Sequence, residues 1–114
     1  MTPPPAIGKD DLLQELRDLE MALGTAEVEN LVAQEDELTR KKFVALREQV
    51  TVAVGTLENA QLADIAARLD QLSPELNVGI AQMKKALKSV ESAIAIINAA
   101  SGVLGLAGRV AALV

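Results

Sequence analysis

Three groups of residues have types and spacings suited to chemistry. Glu35, Asp36 and Glu37 set three carboxylates in succession, a cluster that can attract a divalent cation. Gly102, Gly105 and Gly108 form a glycine-rich run of the kind that cradles phosphate. Arg40, Lys41 and Lys42 are the densest basic patch. Spacing argues against a site in each case. Adjacent carboxylates in one helical turn point in different directions, and no loop surrounds them as calcium requires. The glycines recur every third residue after a helical pattern rather than a strand, so they do not match a nucleotide fingerprint. The basic triplet follows the acidic one almost directly and is largely neutralised by it.

The inventory closes further routes. The chain contains no His and no Cys, which removes the usual ligands for zinc, haem or copper. It also removes histidine bases, cysteine nucleophiles and disulfides. Phe43 is the only aromatic residue, so little can stack on a base or a sugar. A formal charge of −5 repels a phosphate backbone. The expectation is a protein that is not an enzyme, with no cofactor, no metal, no small-molecule substrate and no nucleic-acid partner.

What remains is apolar surface. The 114 residues are 50% hydrophobic and 24% charged, which suits one folded domain and excludes a disordered chain. Residues 1–8 read as a proline-rich tail, since Pro3, Pro4 and Pro5 favour an extended backbone and Gly8 interrupts helix. Leu12, Leu16, Leu19 and Leu23 recur on one face and predict a helix over about 10–23, with Asp10 or Asp11 capping it. Gly24 suits a left-handed helix end, and Thr25 the next cap. A second helix is expected over about 26–72. Asp36 with Arg40 and Glu37 with Lys41 are spaced to pair across a turn. Phe43, Val54 and Ile65, eleven residues apart, keep one face aligned along a straight rod. Ser73-Pro74-Glu75 has the chemistry of a helix start: a cap, a proline with no amide to lose, and an acid in the first turn. It places a third helix over about 74–113.

The third helix carries the functional question. Leu76, Ile80, Met83, Leu87, Val90, Ile94, Ile97, Ser101, Leu104 and Gly108 alternate at spacings of four and three, a heptad seam. Gly79, Ala86, Ala93, Ala100 and Ala107 run beside it every seven residues. From Ser92 to Gly108 there is no charge, and Ile96, Val103 and Val110 add a further apolar line, so 92–114 is a nearly uncharged helix end. A helix apolar all round is enclosed by protein or lies in lipid. A span needs about 20 apolar residues, and this stretch approaches that length. Lys84, Lys85 and Lys88 would hold its upstream side in the cytoplasm, and Arg109 can snorkel to an interface. Gly102, Gly105 and Gly108 form a small-residue surface of the sort that packs membrane helices. Asn98 and Ser101, and the absence of Trp and Tyr, weigh for protein instead. In such a seam Asn98 is expected to be a buried amide satisfied by a partner.

The expected fold is all-α: a short N-terminal helix followed by a long antiparallel helical hairpin, coiled-coil-like and oligomeric. Its long helices would reach roughly 60–70 Å. In layout alone, with no shared motif, it resembles helical pore-forming toxins and phage lysis accessories. The expected function is structural or adaptor: self-assembly, or binding another helical protein, through the apolar faces of the C-terminal helix. The residues expected to face the assembly or a membrane are Leu76, Ile80, Met83, Leu87, Val90, Ile94, Ile97, Ala100, Val103, Leu104, Gly105 and Gly108. The alternative is a membrane-active protein that inserts residues 92–114. The N-terminus lacks a basic and apolar leader pattern, so the expected compartment is the cytoplasm; membrane association and signal-independent export stay open.

Overall fold

A computed structural model describes residues 7–111. Helix α1 (Lys9–Leu23) forms where the leucines predict it, and buries Leu12, Leu13, Leu16, Leu19 and Leu23. Its N-cap is Gly8 rather than Asp10. The Asp11 carboxylate reaches back to accept the Gly8 amide at 3.2 Å. Gly24 ends α1 at φ −90°, so no left-handed residue is needed there. Thr25 caps α2 (Ala26–Ala33), accepting the Val28 amide on its hydroxyl. Ile7 is not part of a free tail: it is buried, and its amide donates to the Ser73 hydroxyl at 3.0 Å. The proline triplet lies outside the described residues.

The helix expected over 26–72 is divided twice. The first break falls at 34–36, where Asp36 turns its carboxylate onto the Thr39 amide at 2.8 Å and caps α3 (Glu37–Asn59). Asp36 is therefore a cap rather than a partner for Arg40, whereas Glu37 does pair with Lys41 at 3.3 Å. Short polar side chains compete in this way with helix propagation. The second break falls at Ala60–Gln61, which has extended backbone and neither glycine nor proline. Its cause is tertiary: Lys9 of α1 donates its ammonium to the Glu58 and Ala60 carbonyls, at 3.1 and 2.6 Å. Those carbonyls belong to a helix end with no following turn to bond, and a cation is favoured there.

The expected start at Ser73-Pro74-Glu75 is also corrected. Helix α4 (Leu62–Ser89) runs through it with Pro74 in its interior. Proline removes one helical hydrogen bond there. Ser73 is buried and does not cap; its hydroxyl donates to the Leu69 carbonyl at 2.6 Å while accepting from Ile7. The burial of Leu69, Leu72, Leu76, Ile80 and Met83 along one side of α4 outweighs the local stop signal.

The chain reverses instead at 90–92. Val90 ends α4 in the left-handed conformation at φ 47°, ψ 42°. Ser92 accepts the Ala95 amide on its hydroxyl at 3.2 Å and begins α5 (Ala93–Ala111). Arg68 of α4 donates to the Val110 carbonyl at 2.8 Å, Arg109 lies 3.8 Å from Glu75, and Gly79 sits against Val103. Positions thus pair in reverse order along α4 and α5. The described residues measure 43 × 35 × 19 Å, which replaces the expected rod of roughly 60–70 Å. The added breaks at 34–36, 60–61 and 90–92 fold the rod back on itself.

The core lies between α1, α3, α4 and α5. Phe43, Leu46, Val50 and Leu57 come from α3, and Ile96, Ile97, Ala100, Val103, Leu104 and Ala107 from α5. Arg17–Glu58 and Arg47–Glu29 ion pairs and a Thr51–Glu20 hydrogen bond line the exposed rim.

Candidate association surface

Helix α5 holds most of the uncharged stretch in which association is expected from the sequence, and the fold treats its sides differently. One side turns inward. Ile97, Ala100, Val103 and Leu104 are all buried by their own chain, as are Leu76, Ile80 and Met83 on α4. Leu87 and Val90 are half-buried. These nine residues were expected to face a partner or a membrane. In this structure the heptad seam is largely satisfied within one chain, because the chain reverses at Val90 and lays one half of the seam against the other.

The other side of α5 is open. Ile94, Gly105 and Gly108 are exposed, and a side chain built on Gly102, Gly105 or Gly108 would meet nothing within 4 Å. Gly79 on α4 differs: a Cβ there would sit 3.4 Å from Val103, so this glycine allows the close approach of α5. The two small-residue lines read from the sequence therefore have different roles. One glycine packs inside the fold, and three present bare backbone outward.

Beside that bare face runs a groove of about 630 Å³ between α3 and α5. Its α5 wall is Ser101, Gly105 and Gly108; its α3 wall is Ala45, Gln49, Val52 and Thr56, with Glu48 on the rim. Val52 is 66% exposed although large and apolar. Sequence reasoning missed the α3 wall. Val52 sits outside the stripe of Phe43, Leu46, Val50 and Leu57, and an apolar residue off the buried stripe was the available signal. A second, smaller groove lies between α4 and α5, lined by Val78, Gly79, Gln82, Asn98, Gly102 and Leu106. Asn98 is exposed there and is not buried by its own chain.

The charges follow the fold. Lys84 pairs with Glu15 at 2.8 Å, and Arg109 reaches toward Glu75. The Asp36 carboxyl is held below its usual range by hydrogen bonds from the Thr39 side chain and amide, with Lys42 and Arg40 adding to the effect. No group of three or more Asp or Glu side chains converges on one point among the described residues. By length and composition α5 could cross a membrane, although 44% of the apolar stretch is buried inside the protein. No protein-family model, curated protein or solved structure matches this chain.

Proposed function

We propose that this chain is a non-enzymatic structural or adaptor protein that binds a second copy of itself through the open side of α5 and the adjoining face of α3. The observation that carries this reading is exposed Gly105 and Gly108 of α5 lining one groove with exposed Val52 of α3. Bare helical backbone next to an apolar wall lets another helix approach closely. Large apolar side chains left in water beside a groove are the usual mark of an association surface.

Light scattering after size exclusion, without detergent, tests it. The expected result is a sharp dimer. Gly105→Leu should return the protein to a monomer, because the new side chain fills the groove. The same substitution should not weaken the fold, since nothing lies within 4 Å of its Cβ and leucine is the better helix former. A wild type that stays monomeric at every concentration, or a Gly105→Leu variant that keeps the dimer mass, would show the reading to be wrong.

A second reading is that α5 leaves the bundle and enters lipid. The length and apolar composition of Ala93–Ala111 support it. The open face weighs against it, because Asn98, Ser101 and three glycines are poorly lipophilic. Co-sedimentation with vesicles of anionic phospholipid separates the two: binding that detergent-free dimers do not compete with would favour lipid.

A further inference from the structure

The turn between α4 and α5 is built from residues that resist it. Val90 is the sole non-glycine residue at positive φ among the described residues, and it is β-branched. The left-handed region is costly for any L-residue, and a β-branched one there is an outlier. Neither glycine nor proline lies between Ile80 and Ser101, so no residue type in the segment demands a reversal. The heptad seam, by contrast, runs through the turn without a change of phase, from Leu87 through Val90 to Ile94. The turn is three residues long, 90–92. Short hinges under strain are those from which elements exchange between copies.

We infer that residues 90–92 are an exchange hinge: α4 and α5 straighten into one helix over 62–111, and α5 docks on α4 of a second copy. The occupant is argued from the contacts themselves. The exchanged α5 meets the same Gly79 cleft, the same Arg68 side chain and the same Glu75 that it meets in the closed chain. Nothing in the α4–α5 interface has to be redesigned. What changes is the hinge. Val90 returns to helical geometry, Glu91 and Ser92 gain helical hydrogen bonds, and the left-handed strain disappears in both copies. The straight helix would be about 75 Å long, the rod that the uninterrupted seam describes. Opposing it is the loss of the Ser92 cap on the Ala95 amide. This inference rests on the self-association proposed above and changes its geometry from docking to exchange.

Two hinge variants and one crosslink decide it. Val90→Gly removes the strain from the closed turn and weakens the straight helix, so the dimer dissociation constant should rise about 30-fold or more with two hinges per dimer. Ser92→Ala removes the cap from the closed form alone and should lower that constant. The natural chain has no cysteine, so Gln82→Cys with Asn98→Cys places a thiol on each wall of the α4–α5 groove. After oxidation, exchange predicts a covalent dimer on a non-reducing denaturing gel. A covalent dimer insensitive to Gly105→Leu would uphold exchange and overturn groove docking. A dimer with only intrachain disulfides, lost in Gly105→Leu and indifferent to Val90→Gly, would leave docking standing and overturn exchange. Wild type and Ser92→Ala that both remain monomeric at every concentration would overturn both.

Discussion

Ser73 shows how far a residue's surroundings can change its role. By type and position it looks like a helix cap, yet it is buried in mid-helix, donating to Leu69 and accepting from Ile7. Alanine there would leave the Ile7 amide buried without an acceptor. A cost of about 1–3 kcal/mol follows. Thermal melting followed by helical circular dichroism should show Ser73→Ala melting several degrees lower, and an unchanged melting point would mean that Ile7 is not held in place by this bond. Asp36 is the complementary case, a polar residue on the surface. Its carboxylate is favoured in the folded state by the Thr39 hydrogen bonds, so its folded pKa lies below the ordinary value of 3.8. The contribution is therefore fully present above 3.8 and is lost as pH falls through the lower folded value. The Thr39 amide resonance should titrate with a midpoint below 3.8, and the start of α3 should fray beneath that midpoint.

At the scale of the element, α4 holds a proline that should have ended it. Pro74 deletes the bond to the Asp70 carbonyl, but both residues are exposed, so water can take the freed carbonyl. The buried side of α4 continues past the defect. Pro74→Ala should restore the bond and stabilise the protein by about 1–2 kcal/mol, after allowing for the greater freedom of the unfolded chain. Urea unfolding measures this. No gain would mean that the packing of α4 requires the local distortion proline supplies. The ends of α3 and α5 are held across space, the first by Lys9 and the second by Arg68. No local pattern near Ala60 or Val110 announces either, because the cation that serves each carbonyl comes from some 42 to 51 residues away in sequence.

For the whole molecule, the central fact is that one chain covers most of its own seam. Ile97 was expected to face a partner, yet it is 7% exposed in the core beside Ala100 and Leu104. Ile97→Asp should therefore unfold the protein rather than merely separate copies of it, since an unpaired buried charge costs several kcal/mol. Loss of helical circular dichroism in this variant is the expected result; a folded monomer would mean that Ile97 meets water or a partner after all. Docking through the groove is better probed at Gly105, where the surface is open, and exchange at Val90.

The sequence by itself determined that the protein is helical, which residues are apolar on which face, and that no His or Cys side chain is present. Leu12 to Leu23, Phe43 to Leu57 and Leu76 to Met83 turn inward because the 3.6-residue period sets each face wherever the helix happens to end. The end of α1 at Leu23 and the caps at Thr25 and Asp36 are local, but only the tertiary structure decided the break at Ala60 and the continuation of α4 through Pro74. The break at Ala60 depends on Lys9, and continuation through Pro74 depends on the burial of α4, both long-range. The open glycines of α5 were legible as a small-residue line, but Gly79 and Gly105 are the same residue in the same kind of pattern. One is packed against Val103 and the other faces a groove because the chain reverses at Val90, and a reversal that no glycine or proline imposes is settled by packing between distant segments.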